Sequence, residues 1–170
     1  GNLRSVEMAL LAAGANARLT SDPGEILAAA AAVSPGQGAF GDVMRSLERR
    51  GLLGPVRDRA AEAMRGGRPF LGICVGMQYL VESSEEEPGV RGLGLLAGRC
   101  RRFRPADPAL KIPQMGWNRL IPRAGDGEPL LRGLPDEPFV YFVHSYYVEL
   151  EEPGAIAAET DYGVRYCSAL

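Results

Sequence analysis

Lysine occurs once in this chain, at Lys111, histidine once, at His144, and tryptophan once, at Trp117. Nearly all the positive charge is therefore arginine, which reads as base-composition bias of a genome. With 19 basic against 21 acidic side chains and a formal charge of −2, the basic excess that nucleic acid or an anionic membrane attracts is absent. Cysteine is scarce as well. Cys74, Cys100 and Cys167 are odd in number and widely spaced, unlike a disulfide framework or a metal site. They point to a reducing compartment, so a cytoplasmic location is expected, with neither metal nor cofactor. No apolar run approaches the roughly 20 residues that cross a bilayer. What is present is ordinary: 170 residues, 46% hydrophobic and 24% charged, which suits one globular domain with a real core.

The first half alternates helical and strand-like stretches. Leu3, Val6, Leu10 and Ala13 recur at helical spacing and Gly14 follows as a C-cap, which predicts a helix over 2–13. Residues 17–20 read as a short strand. Asp22-Pro-Gly-Glu25 combines an N-cap, a proline at the first helical position and an acid in the first turn. A short helix and then a strand from about residue 30 follow, stopping at Ser34-Pro-Gly-Gln-Gly38. Helices are expected over 41–50 and 56–65, then a buried strand over 70–73 and a helix over 75–81. Past Glu85-Glu-Glu87, read as an exposed acidic run, the texture changes to short β-like stretches at 99–104, 110–113, 117–121, 139–148 and 155–168. The expected fold class is α/β: a doubly wound, mostly parallel sheet with flanking helices and added antiparallel strands.

The most informative stretch is Arg68-Pro-Phe-Leu-Gly-Ile-Cys-Val-Gly-Met-Gln-Tyr-Leu80. Cys74 sits at a strand-to-helix corner with Gly72 and Gly76 two places away on either side. That is the cysteine form of a nucleophile elbow, which holds its nucleophile exposed in a strained conformation. The following helix begins with amides that can donate to a developing oxyanion. A buried cysteine beside glycines that merely tighten a βα turn is spelled the same way, and the pentapeptide alone does not choose.

Four other features bear on chemistry. Pro35-Gly-Gln-Gly38 follows a strand end, where ligands sit in open α/β sheets, and its glycines let backbone amides approach a ligand. Trp117, in Lys111-Ile-Pro-Gln-Met-Gly-Trp-Asn118, is by composition a core residue. In Tyr141-Phe-Val-His-Ser-Tyr-Tyr147, alternation puts Tyr141, Val143, Ser145 and Tyr147 on one face and Phe142, His144 and Tyr146 on the other. His144 tempts as a base for Cys74, but a lone histidine among strand aromatics reads as structural. Arg99, Arg101, Arg102 and Arg104 read as a solvated basic face.

Together these blocks resemble the class I, triad-type glutamine amidotransferases. Pro-Phe-Leu-Gly-Ile-Cys-Val-Gly-Met-Gln at 69–78 is similar to the nucleophile motif of that class. The blocks at 1–6, 35–40, 111–118 and 141–147 look like the glutaminase subunits of imidazole glycerol phosphate synthase, in the same order along the chain. The resemblance implies a flavodoxin-like sheet topology. It also implies a histidine-biosynthetic enzyme that hydrolyses glutamine to glutamate and ammonia. The ammonia passes to a separate (β/α)8-barrel cyclase subunit in a heterodimer, with no nucleic acid or membrane involved. By the same resemblance Cys74 is the nucleophile that forms a glutamyl thioester. Val75 and an amide among Gly36, Gln37 and Gly38 form the oxyanion hole. Gln78, Ser145 and Tyr146 hold the substrate, while Asn2, Trp117 and Tyr141 face the cyclase.

The departures from that pattern are a first strand and a C-terminal His-Pro-Glu-type segment, neither of which is found here. The expectation is accordingly a single amidotransferase domain over 1–170 that is truncated at both ends and inactive alone. Two alternatives stand beside the leading reading. One is a non-catalytic partner that docks on the cyclase, against which the intact elbow and Gln78 argue. The other is a different class I amidotransferase, against which the blocks at 111–118 and 141–147 argue.

Overall fold

The computed structural model describes residues 3–123 and 129–170. Asn2, expected at a partner interface, lies outside the described residues. The chain divides by contacts into two compact units, Gly1–Leu96 and Ala97–Leu170.

The first unit carries the helices: α1 (Leu3–Ala12), α2 (Pro23–Ala28), α3 (Phe40–Arg49), α4 (Leu53–Met64) and the single turn α5 (Val75–Gln78). Its strands are β1 (Ala32–Gly36), β2 (Phe70–Cys74) and β3 (Val81–Ser84). β1 and β2 pair in parallel, in register from Ala32↔Phe70 to Gly36↔Cys74. Local signals explain the helix ends. Gly14 closes α1, with Gly14 N–H donating to Leu11 and Ala15 N–H to Leu10, both at 3.0 Å, the two bonds of a Schellman motif. Asp22 caps α2 by accepting the Glu25 N–H at 2.9 Å, with Pro23 at the first helical position. The core gathers Phe40 and Met44 of α3, Leu52, Val56 of α4, Val75 and Tyr79, and Leu93.

Several boundaries differ from the sequence reading. Residues 17–20 form no strand. They have no ladder partner among the described strands, and the Thr20 hydroxyl instead accepts the Asp22 N–H at 3.0 Å, shaping the approach to α2. β1 begins at Ala32 and runs on through Pro35 to Gly36, so the expected stop at Ser34 is part of the strand. α4 starts at Leu53 rather than 56. Pro55 falls in its first turn, where a missing N–H costs nothing. The helix after Cys74 ends at Gln78, because Val81 opens β3 instead.

The second unit is antiparallel. It contains β4 (Leu96–Arg102), β5 (Gln114–Arg119), β6 (Ile121–Pro122), β7 (Phe139–His144), β8 (Tyr146–Leu150), β9 (Ala158–Asp161) and β10 (Arg165–Ala169). One sheet runs β4-β8-β10-β9-β6, while β5 and β7 form a separate pair. A small core of Leu120, Ala157, Ala158 and Ala169 is joined by Val140 and Phe142. Phe103 anchors an aromatic cluster, with ring centroids 4.8 Å from Tyr147, 5.0 Å from Tyr166 and 5.2 Å from His144.

The expected α/β class holds, with β1 and β2 forming a parallel pair among the described strands. The stretch 110–113 is not a strand: Pro113 has no N–H to give a ladder, and β5 begins one residue later. The run 139–148 divides at Ser145 into β7 and β8, which join different sheets.

Candidate active site

β2 delivers Cys74 to the surface with φ 59° and ψ −117°. It is the only non-glycine residue with positive φ among the described residues, and its side chain is exposed. A β-carbon there is strained by roughly 1–3 kcal/mol, so the surrounding structure has to enforce the turn. The glycines allow it. A side chain at Gly76 would overlap the carbonyl oxygen of Ser34 in β1, and one at Gly72 would overlap the carbonyl oxygen of Gly76. Both obstacles are backbone and cannot swing aside. The corner is thus pressed between β1 and its own helix, and Cys74 is exposed there rather than buried.

The loop expected to share the site lies beside it. Gly36 is level with Cys74 in the β1–β2 register, and a β-carbon on Gly36 would come within 2.6 Å of Val75 Cβ. Gln37 and Gly38 are exposed, and Gly38 takes φ 101° with open space around it. Val75 is buried and begins α5, a position whose amide has no partner inside the helix. Gln78 ends that turn, 7% exposed. Tyr79, fully buried, donates its hydroxyl proton to Ser34 Oγ, tying the elbow to β1. Burial pushes the Tyr79 phenol up to about 12, with the Ser34 hydroxyl bond pulling the other way. Cys74, Val75 and Gly36 are therefore brought together in the first unit, with Gln78 at the end of the same turn and Gln37 and Gly38 following Gly36 on the exposed loop.

The acidic run 85–87, expected to be an exposed face, is half-buried and engaged. Glu86 accepts the Phe40 N–H at 2.7 Å, and Glu87 takes Arg45 at 2.5 Å. α3 begins after Ala39, which offers no side-chain cap, so Glu86 supplies the acceptor from 46 residues away. Sequence reasoning missed this role. The available signal was a helix opening on Ala39-Phe40 with none of the usual capping residues.

In the second unit Ser145 and Tyr146 occupy the join between β7 and β8. The Ser145 carbonyl accepts the Phe103 N–H at 3.0 Å. The Tyr146 carbonyl lies 2.8 Å from His144 Nδ1. His144 is half-buried, against Phe142 as well as Phe103. Desolvation lowers its pKa, opposed by the bond to the Tyr146 carbonyl. The structural reading of His144 fits these contacts.

Trp117 is not in the core. It is 70% exposed, opposite Tyr141 in the β5–β7 register, with the two rings edge-to-face at 5.8 Å. Alternation along β5 and β7 turns Met115, Trp117, Phe139, Tyr141 and Val143 to one exposed side, while Gln114 and Phe142 point inward. Of the basic cluster, Arg99 and Arg101 share Glu149 of β8 at 3.4 and 2.9 Å, so it is a cross-strand ion-pair face rather than a purely solvated one. Among the described residues no group of His, Cys, Asp and Glu is arranged to hold a metal ion, and no helix is long and apolar enough to cross a membrane.

The family described as "Glutamine amidotransferase class-I" matches residues 8–169, a span that crosses both units. The "Imidazole glycerol phosphate synthase subunit HisH" of Deinococcus radiodurans is 54% identical over 170 residues, which is all of this chain and 76% of that protein. Proteins of the same description from Desulfitobacterium hafniense and Methanosarcina mazei are 48% and 44% identical, over 98% and 100% of this chain and 74% and 79% of theirs. A crystal structure of a glutamine amidotransferase superposes with a TM-score of 0.67 at 19% identity, covering 93% of this chain and 75% of that one, a likeness of fold.

Proposed function

Because the chain belongs to the class I glutamine amidotransferases, and within them to the HisH subunits of imidazole glycerol phosphate synthase, we propose that Cys74 is the nucleophile of its glutaminase reaction. The Cys74 sulfur attacks the side-chain carbonyl carbon of glutamine, and the carbonyl oxygen becomes an oxyanion. The amide of Val75 and an amide among Gly36, Gln37 and Gly38 receive that charge, each such donor being worth about 3–4 kcal/mol in the transition state. The C–N bond then breaks, ammonia leaves with a proton, and a glutamyl thioester remains. Water adds to the thioester, and expulsion of the Cys74 sulfur yields glutamate. Gln78, Ser145 and Tyr146 hold the glutamine.

The thiol proton, the leaving ammonia and the attacking water all need a proton carrier. His144 is not assigned as that base: its Nδ1 meets the Tyr146 carbonyl and its Nε2 faces the Tyr166 hydroxyl inside the aromatic cluster. In the family that this chain resembles, the base and its orienting carboxylate belong to a His-Pro-Glu-type segment.

The ammonia is consumed by a (β/α)8-barrel cyclase, the partner in a heterodimer, in the service of histidine biosynthesis. The exposed Trp117–Tyr141 pair forms the apolar centre of the surface that meets it, with Asn2 assigned to the same interface. The two units together make one amidotransferase domain.

The observation that carries this reading is the backbone of Cys74, the one non-glycine residue held at positive φ among those described. The test is Cys74→Ala in the complete protein with its partner. Glutamate formation should fall by about four orders of magnitude, with folding and partner binding kept. Activity within about tenfold of the parent would remove Cys74 from the mechanism.

A further inference from the structure

Beneath the Ser145–Tyr146 segment lies a buried polar cluster that the reaction itself does not use. Gln114 of β5 is level with His144 of β7 and is 2% exposed, and Tyr166 of β10 is 3% exposed. The Tyr166 hydroxyl lies 2.8 Å from the Gln114 side-chain oxygen and 3.4 Å from His144 Nε2. Gln114 Nε2, buried, has no hydrogen-bond partner among the described residues. That arrangement spends the Tyr166 proton on Gln114 and leaves His144 Nε2 without a donor.

The Tyr146 carbonyl can only accept, so the 2.8 Å contact requires a proton on His144 Nδ1. Nε2 then carries a lone pair, and the Tyr166 hydroxyl is the group in position to donate to it. If Tyr166 donates there, its oxygen, which also faces the Thr160 side chain, keeps a lone pair to accept. Half a turn of the Gln114 amide then places its NH2 against that oxygen. Every donor now points the same way: Gln114 to Tyr166, Tyr166 to His144, His144 to the Tyr146 carbonyl. The buried NH2 gains a partner, and a buried donor left unmade costs about 1–3 kcal/mol. Hydrogen bonds aligned in series also strengthen one another.

We propose that Gln114, Tyr166 and His144 form a one-way hydrogen-bond chain that fixes His144 as the Nδ1–H tautomer and, through the Tyr146 carbonyl, positions the Ser145–Tyr146 segment for glutamine. His144 is thus a positioning residue. The inference rests on the proposed role of Ser145 and Tyr146 in holding the substrate. With the Ser145 carbonyl tied to Phe103 N–H and the Tyr146 carbonyl to His144, both peptide oxygens of the segment are fixed. Loss of the His144 bond therefore loosens substrate binding rather than the chemistry at Cys74.

The test compares three substitutions in the full-length protein assembled with its partner. The amide nitrogen of His144→Asn occupies roughly the place of Nδ1, that of His144→Gln roughly the place of Nε2, and His144→Leu keeps bulk without either. His144→Asn should hold the KM for glutamine within about twofold, while His144→Gln and His144→Leu raise it about tenfold with kcat little changed, the size of one hydrogen bond. Tyr166→Phe should raise KM severalfold as well. If His144 only packs the aromatic cluster, Leu is the mildest change and Asn the worst, and that order overturns the proposal.

Nitrogen-15 spectra of the unsubstituted protein, with the His144 signal identified by its loss in folded His144→Asn protein, supply a reading taken on the parent itself. A neutral ring at pH 7 protonated on Nδ1 is expected, and a proton on Nε2 overturns the chain. The premise is checked separately by adding glutamine to Cys74→Ser protein and following the Ser145 and Tyr146 amide signals. Unmoved signals sink the substrate assignment and the proposal with it. Moved signals with no KM effect at His144 sink the positioning role alone.

Discussion

At Gly76 the obstacle to any side chain is the Ser34 carbonyl oxygen, and at Gly72 it is the carbonyl oxygen of Gly76 itself. Neither group can rotate away, so Gly76→Ala should destabilise the protein by about 3 kcal/mol or more, read as a lowered denaturation midpoint. At Gly38, where a β-carbon would meet nothing within 4 Å, the only penalty is its φ of 101°. Gly38→Ala should therefore cost only about 1–2 kcal/mol. Equal losses at both sites would mean that the elbow is not pressed against β1 as described. These residue-level features were the most legible ones in the sequence, because the glycine spacing around Cys74 states a local steric requirement. The fate of Glu86 was not legible, and that of Trp117 only through the family resemblance, since composition alone puts it in the core. One depends on a helix end 46 residues away, the other on which side of a two-stranded sheet stays open.

Among the elements, α4 carries the charged clasp of the first unit. Arg59, whose side chain is fully buried, reaches Glu62 at 2.5 Å and the carbonyls of Ala29 and Pro69 at 3.3 and 3.4 Å. Arg68 adds its own pair with Glu62 at 2.8 Å and a bond to the Ala29 carbonyl at 3.1 Å. The clasp joins the end of α2 and the start of β2 to α4. Hydrogen bonds, from Arg68 first and then Arg59, lower the Glu62 carboxyl from 4.5 to about 2, while desolvation opposes them. A carboxyl depressed in the folded state stabilises fully above its ordinary value, and that contribution fades as the pH falls toward about 2. Denaturation midpoints measured from pH 5 down to 2 should drop less steeply in Glu62→Gln than in the parent, while the variant is the less stable protein at pH 7. Identical slopes would show that the clasp is not coupled to folding. None of this was read from the sequence, since Arg59 and Ala29 are 30 residues apart. The cap of α2 was read, because Asp22 and Glu25 are three apart. The strand expected over 17–20 failed for the complementary reason: a strand exists only with a neighbour, and period-two patterning does not name one.

For the molecule as a whole, the change to short β-like stretches past Glu87 was visible in the spacing of its glycines and prolines, but the separation of β5 and β7 from the larger sheet was not. That separation exposes Trp117 and Tyr141 together. Trp117→Ala should change folding stability by less than about 0.5 kcal/mol yet weaken binding to the cyclase by about 2 kcal/mol or more, roughly thirtyfold, in a titration of the two proteins. Unaltered affinity would place the interface elsewhere. The central claim concerns the sulfur at the elbow, and it is tested most directly by covalent trapping. A glutamine analogue bearing an electrophile in place of the side-chain amide is added to the complete protein with its partner, and the labelled peptides are mapped by mass spectrometry. The account predicts a single adduct on Cys74, suppressed by excess glutamine and absent in Cys74→Ala, with the buried Cys100 and Cys167 untouched. An adduct on either buried cysteine, or labelling of Cys74 that glutamine does not suppress, would contradict it.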